Sequence, residues 1–409
     1  MLRVGIIGLG GFARSHHESI LKLEEQGLCK LLCTCDPEPD AFAENSAKLD
    51  FDGRGVQVFD HYLKMLDAFG DRLDVVTIPT PVPMHAEMHK ACVDRGICVY
   101  LEKPPTVNYA ELDEMIEVDK RAKKATMVGF NFIIEKPRQE LKRRLLAGEF
   151  GTIKEVQFCG KWPRNEGYFG RAAWPARLIM DGRLVLDSCM SNAMAHYVHN
   201  TLFWCGHGEL MSWGRVAETG AELYRAHNIE GFDTVFASGK TEAGEDIKAT
   251  LSHALAGPGS HYEKVICEKA TLTYAVGKEY TIEWADGRSE TTQAPRGDNL
   301  ADNMHLYLQY VSGEVERPMT LLAESKPFVE YCDLVYVASG RITTIPESDK
   351  DHVEGGWVAA RNMREIMDRF LETGQYPSEQ GLSWAKPGGT ATPADLPKLR
   401  GVIESMIGG

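Results

Sequence analysis

The 409-residue chain has no C-x-x-C pair and no cysteine–histidine cluster at zinc spacing, which argues against a structural zinc site or a dithiol redox centre. Its ten cysteines (Cys29, Cys33, Cys35, Cys92, Cys98, Cys159, Cys189, Cys205, Cys267 and Cys332) sit mostly singly in apolar segments, the pattern of buried reduced thiols. No run reaches the roughly 18 apolar residues of a spanning helix. The first residues lack the charged region, apolar core and cleavage site of a secretory leader, so a cytoplasmic protein is expected. No basic block is present and the net charge is −14. That balance disfavours nucleic acid and anionic membrane as partners. Internal repeats and low-complexity tracts are absent too. The 43% hydrophobic and 25% charged content is that of a soluble globular protein, with length for two or three domains.

What is present begins at residue 1. Val4, Ile6 and Ile7 form a short apolar run that reads as a buried parallel strand. Gly8-Leu9-Gly10-Gly11-Phe12-Ala13 follows at once and matches the dinucleotide fingerprint G-x-G-x-x-G/A in its strand-to-helix setting. Gly8 permits the tight turn, Gly10 lets the backbone approach a pyrophosphate, and Ala13 allows close helix–strand packing. The helix that starts there aims unpaired N–H groups and its positive dipole end at the phosphates. Residues 28–34 (LCKLLCT) read as a second strand, and Asp36 follows it. This acid lies about twenty residues past the last small residue, where a carboxylate accepts hydrogen bonds from the adenine ribose. The next residues are Pro37, Glu38, Pro39 and Asp40, with no Arg or Ser. A ribose phosphate would be repelled there, so NAD is expected rather than NADP.

Alternating strand and helix patterns continue to about residue 128, the rhythm of a doubly wound parallel sheet. Strands are expected at 74–78, 97–101 and 126–131, and helices at 85–95 and 109–124. The breaker segments after two of these strands, at 79–83 and 102–105, fall on the side where such sheets bind ligands. Beyond residue 150 the pattern changes to an antiparallel meander, with strands at 153–159, 234–237, 247–251, 265–274, 280–284 and 289–292. Helical stretches near 187–205 and 301–312 flank it. The expected architecture is therefore an α/β Rossmann domain (1–128), an α+β domain with an open, mostly antiparallel sheet (129–347), and a C-terminal extension (348–409). The extension reads as one amphipathic helix at 358–371 followed by a Gly/Pro-rich surface strap at 386–397.

Four ordered pieces, GLGGFA at 8–13, PTPVPMHAEM at 79–88, LEKPP at 101–105 and GFN at 129–131, resemble the glucose-fructose oxidoreductase / inositol dehydrogenase / MocA (Gfo/Idh/MocA) family of nicotinamide-dependent sugar oxidoreductases. The resemblance implies that Lys103 is the active-site lysine, often followed by a cis bond to the next proline. It sets Glu102 and Asn131 near the nicotinamide ribose and the floor of the site. Thr80, Pro81 and His85 match a cofactor-facing loop, although the common Asn after the proline is Val82; His85 reads equally as a helix start. The family also carries Asp-x-x-x-His on a helix of its second domain. Counting back from Gly206 aligns His196 with that histidine and Asn192 with the aspartate, while counting forward from Gly182 selects Asp187 and Ser191 instead. The first register is favoured because it keeps a histidine as proton relay, with Asp187 able to substitute for the missing acid. His199 falls near a second family acid.

Substrate contacts are expected from Lys103, His196 and the segment WPRNEGYFGRAAWPAR, which supplies Trp162, Arg164, Tyr168, Trp174 and Arg177. Aromatic faces stack on sugar C–H surfaces and arginines bind hydroxyls or acids; a subunit-contact loop is the alternative. Glu222, Tyr224, Arg225, His253 and His305 are further polar candidates. The sequence thus leads to an NAD-dependent dehydrogenase of a sugar, polyol or glycoside secondary hydroxyl, with no metal. An enzyme that retains NAD and modifies or cleaves glycosides, or a non-catalytic NAD sensor, are the alternatives. The resemblance also implies a homo-oligomer, dimer or tetramer, formed through the open sheet face.

Overall fold

The apolar runs of the first third become six strands in the computed structural model, which describes residues 1–408. They are β1 (Leu2–Ile7), β2 (Cys29–Cys35), β3 (Gln57–Phe59), β4 (Val75–Ile78), β5 (Cys98–Leu101) and β6 (Met127–Val128). All pair in parallel, in the order β3-β2-β1-β4-β5-β6. This is the Rossmann order, whose ligand crevice opens where β1 and β4 diverge. Every residue of β4 and β5 is buried, as a parallel sheet covered on both faces requires.

Chain ends of several elements differ from the expectation for local reasons. The last strand is only Met127–Val128, although the Gly129 N–H still donates to Leu101 O at 2.8 Å; a Cβ at Gly129 would lie 2.8 Å from Glu102 Oε1, so only glycine fits there. The helix expected at 109–124 ends at Asp119, whose carboxylate turns back to accept the Thr126 N–H at 3.2 Å. Helix His85–Val93 likewise ends before the expected 95.

The chain divides into two compact units, Met1–Glu135 with Asp298–Lys326, and residues 136–297 with the chain from 327 onward. Three consecutive segments were the expectation, and both later boundaries move. Helix Asn299–Ser312 carries Leu300, Met304, Tyr307 and Leu308 on one stripe, and these pack with Ile20, Leu23 and Tyr100 of the first unit. Such spacing identifies a helix but not the surface it will cover.

The second unit is built on β7 (Ile153–Lys161), β10 (Val216–Arg225), β11 (Thr234–Thr241), β12 (Asp246–Ser252), β13 (Ser260–Cys267), β14 (Ala270–Ala275), β15 (Glu279–Trp284), β16 (Ser289–Gln293) and β17 (Ile342–Thr344), with a small hairpin of β8 (Ile179–Met180) and β9 (Arg183–Leu184) apart from them. The sheet order is β16-β15-β14-β13-β7-β12-β11-β10-β17, antiparallel except for the β7–β12 and β10–β17 pairs. The single strand expected at 265–274 is two. Glu268 and Lys269 leave the ladder because their N–H groups donate to Thr152 and Phe150 carbonyls. Strand β10 and the buried helix Lys326–Ser339 were not anticipated as elements.

The C-terminal segment departs most from expectation. The helix read at 358–371 is a hairpin strand, Trp357–Ala360, then a break at Asn362 (φ 54°) and helix Met363–Thr373. Met363, Ile366, Met367, Phe370 and Leu371 pack on Cys159, Tyr224 and Phe236, covering one face of the sheet over β7, β10 and β11. The Gly/Pro strap adds Thr390–Ala391 to the β10 edge before a final helix, Leu399–Gly408. That face is therefore covered in part by the chain itself.

Candidate active site

In the first unit the sequence-predicted residues converge at the carboxyl ends of β1, β2, β4 and β5. Gly8 holds φ +122° and donates its N–H to Cys35 O at 2.8 Å, tying the turn to β2. A Cβ on Gly8 would meet the Ala13 Cβ at 3.3 Å, so both small residues serve the close strand–helix approach. Gly11 (φ +56°) faces open space, a cradle that suits a phosphate. A Cβ on Gly10 would lie 2.6 Å from the Phe42 ring, so its missing side chain makes room for an aromatic of the turn after Asp36. Phe12, half exposed, precedes helix Ala13–Glu25. Asp36 is partly buried and accepts N–H groups from Leu9 at 3.2 Å and Glu38 at 3.1 Å, which knits the β1 and β2 ends together.

Two histidines that the sequence reading passed over support this loop. His17 donates Nε2–H to Gly8 O at 3.1 Å, and burial pushes its pKa down to about 4, keeping it neutral. His16, also buried, faces Glu102 Oε1 through Nε2 at 3.2 Å. Glu102 Oε2 in turn accepts the Lys103 N–H at 2.9 Å. The buried carboxylate thus joins the helix after the glycine loop to the Lys103 turn. Lys103 is half-buried, and its bond to Pro104 is cis.

His85, first residue of its helix, is fully enclosed. Its Nε2 faces Thr80 O at 2.9 Å and its Nδ1 faces Pro104 O at 3.0 Å. Burial lowers its pKa, so the ring has one N–H to share between them. This braces the loop holding Thr80 and Pro81 against the Lys103 turn instead of presenting the ring to a ligand. Thr80 Oγ1 contacts Met88 Sδ at 3.4 Å, and Asn131 is buried past the end of β6. His305 lies in this unit, on helix Asn299–Ser312.

In the second unit His196 lies half-buried in the first turn of helix Ala195–Trp204. Asn192 belongs to a preceding π turn, Cys189–Ala193, broken from the helix at Met194. The structure brings together the two residues that compete for the acidic position, since Asn192 Nδ2 donates to Asp187 Oδ1 at 2.7 Å. The other Asp187 oxygen accepts the Ala176 N–H at 2.6 Å. Ser191 is structural, donating to Leu186 O at 2.6 Å. His199 is a core residue packed against Trp213 and Phe328, and burial holds its pKa well below the usual value, so it takes no acidic role.

Charges the sequence reading did not single out fix this helix. Arg138 and Glu263, both inaccessible, pair through two bonds of 2.5 and 3.2 Å, and Glu263 also accepts from Asn200 (2.8 Å) and Trp204 Nε1 (2.6 Å). Lys142 donates to the Phe203, Trp204 and Gly206 carbonyls, closing the helix C-terminus with a buried ammonium whose pKa burial lowers to about 8.

The 162–177 segment divides. Trp162, Arg164, Tyr168 and Trp174 stack with Arg171 into a partly exposed wall. Arg177 is exposed and tied to Glu230 at 2.9 Å. The remaining polar candidates are internal fastenings. Glu222 accepts from Tyr224 and Ser378 where the C-terminal segment packs, Arg225 bonds to Thr344 and to the Ile229 and Glu230 carbonyls, and buried His253 faces Trp162 O through Nδ1 at 2.7 Å.

Residues 2–130 match the family model of the GFO_IDH_MocA oxidoreductases, described as an NAD-binding Rossmann fold. The chain is 27% identical over 163 residues to a myo-inositol 2-dehydrogenase of Thermotoga maritima, covering 40% of this chain and 46% of that one. A glycosyl hydrolase family 109 protein of Streptomyces niveus is 29% identical over 156 residues, 37% of this chain and 31% of the relative. The matches thus span less than half of these curated relatives. The fold as a whole matches the WlbA dehydrogenase from Bordetella pertussis, solved with NADH and UDP-GlcNAcA, at a TM-score of 0.65 and 22% identity over 82% of this chain and 95% of that one. Residues 2–130 are accordingly similar to the NAD-binding Rossmann domain of the Gfo/Idh/MocA oxidoreductases.

Proposed function

We propose that the protein is an NAD-dependent oxidoreductase acting on a secondary hydroxyl of a sugar, polyol or glycoside, with Lys103 as acid/base. The observation that carries the reading is the Glu102–Lys103–Pro104 turn, fixed by a buried carboxylate at the ligand edge of an NAD-binding sheet. When bound, NAD supplies the hydride acceptor or donor at its nicotinamide ring. The glycine loop and the N-terminus of helix Ala13–Glu25 hold its pyrophosphate, and Asp36 accepts from its adenine ribose. Lys103 Nζ takes the proton of the substrate hydroxyl in oxidation and returns it in reduction. Glu102 keeps that lysine's backbone in place. His196 serves as proton relay, with Asn192 oriented by Asp187.

An NADH-absorbance screen over sugars, inositols and glycosides tests this, with Lys103→Met as control. Turnover should vanish in the variant while NAD binding, followed by fluorescence titration, stays intact. Unchanged turnover would refute the assignment.

The similarity to a family 109 hydrolase supports a second reading, in which NAD stays bound and a glycoside is cleaved after transient oxidation. It requires that NAD co-purify with the protein and that glycoside be consumed without net NADH.

A further inference from the structure

The wall at 162–174 is an alternating stack of rings and guanidinium planes. Arg164 Cζ lies 4.5 Å from the Trp162 ring centre and 4.7 Å from that of Tyr168. Arg171 Cζ lies 3.8 Å from the Tyr168 ring centre and 4.8 Å from that of Trp174. Such stacking leaves the N–H edges of a guanidinium available for a planar acceptor.

Those edges have no acid, although Arg171 Nη1 donates to the Tyr168 carbonyl. Acidic residues outnumber basic ones in this chain by 59 to 45, and several other arginines of the second unit have a carboxylate partner, among them Arg138 with Glu263, Arg144 with Glu149 and Arg177 with Glu230. Among the described residues neither Arg164 nor Arg171 has a carboxylate partner. Arg164 Nε is shut off from solvent and meets no acceptor, an arrangement that costs stability unless a ligand completes it. Asp187, whose charge together with burial raises the Tyr168 phenol pKa, has its own oxygens engaged by Ala176 and Asn192.

The stack is also held rigidly. The Arg164 N–H donates to His253 O at 3.0 Å, its carbonyl accepts from His227 Nε2 at 3.1 Å, and His227 is locked to buried Asp233 at 2.7 Å. At its other end Trp162 stacks on His261, which bonds to the hydroxyl of Tyr197, the neighbour of His196.

We infer that Arg164 and Arg171 form a carboxylate subsite, and that the substrate is an acidic sugar such as a uronic acid or its glycoside. This rests on the reading of the chain as a sugar oxidoreductase and narrows its substrate class. The rings of Trp162 and Tyr168 face the C–H surface while the guanidinium edges bind the carboxylate.

The test is calorimetric binding of D-glucuronate against D-glucose, and D-galacturonate against D-galactose, to the full chain with NAD, followed by KM measurements in NAD reduction. The acid of a pair should bind about 10- to 100-fold tighter, the range of charge-assisted hydrogen bonds. Arg164→Gln and Arg171→Gln should abolish that ratio by weakening the acid alone, and Arg143→Gln, which removes an exposed charge elsewhere, should preserve it. A purely structural stack would weaken acid and neutral sugar together. Equal affinity for the two partners, no acid binding, or an unchanged ratio in Arg164→Gln overturns the inference. Acid binding without any NAD reduction would sink the dehydrogenase reading and leave the subsite standing; reduction of neutral sugars insensitive to Arg164 would do the reverse.

Discussion

Glu263 is the buried carboxylate on which the His196 helix is fastened, and replacing it with glutamine isolates the charge from the shape. Its two oxygens accept four hydrogen bonds, two from Arg138 and one each from Asn200 and Trp204, with both members of the ion pair inaccessible to water. Glutamine keeps the volume but loses the charge and one acceptor, taking from the buried Arg138 guanidinium the carboxylate it meets at 2.5 Å. Breaking a buried pair in this way costs about 3–5 kcal/mol. In a domain of this size about 1 kcal/mol moves the midpoint by about 2–4 °C, so the second-unit transition should fall by about 6–20 °C. Urea and thermal unfolding followed by tryptophan fluorescence read it directly, since Trp204 donates to the same carboxylate. Arg138→Met in the Glu263→Gln background should recover part of the loss by removing the buried charge. A single variant within about 1 kcal/mol of wild type, or a double variant no better than the single, would refute the view that this pair holds the His196 helix.

Three further outcomes follow from the buried groups. His17 and His253 are held neutral, each with a pKa lowered from 6.5 to about 4. The unfolded chain binds more protons than the folded one between those values, so stability present above pH 6.5 is lost as pH falls toward 4, by about 3 kcal/mol per histidine; His17→Gln should flatten that dependence in the first-unit transition. Gly10→Ala should weaken NAD binding because its methyl strikes the Phe42 ring, and Phe42→Ala should restore much of the affinity; failure of that rescue would return Gly10 to a purely phosphate-facing role. All ten thiols are free and buried, so a thiol reagent should label the native protein slowly and reach ten equivalents only after unfolding.

The candidate site was legible in the sequence where its parts are close together along the chain. Gly8 to Ala13 and Glu102 to Pro104 each fit within a few residues, so local turn chemistry declares them. His16 could have been found by asking what the helix after the glycine loop points back at, because its position three residues past Ala13 is visible. Arg138, Lys142 and Glu263 carry no such signal: a charged residue on a helix or strand looks solvated until its partner is known. Glu222, Tyr224, Arg225 and His253 erred in the opposite direction, since polar side chains that look available are used to fasten the sheet to later segments.

The sequence by itself determined the Rossmann fold and the place of Asp36 and Lys103 at its strand ends, because short apolar runs, glycine turns and a proline turn are specified by neighbours in the chain. Tertiary structure alone decided which charges meet. Arg138 reaches Glu263 across 125 residues and His16 reaches Glu102 across 86. It also carried helix Asn299–Ser312 back to the first unit and closed part of the second sheet with the C-terminal segment. The physical reason is the same in each case: periodicity shows that a face must be buried, but only the folded chain supplies the surface that buries it.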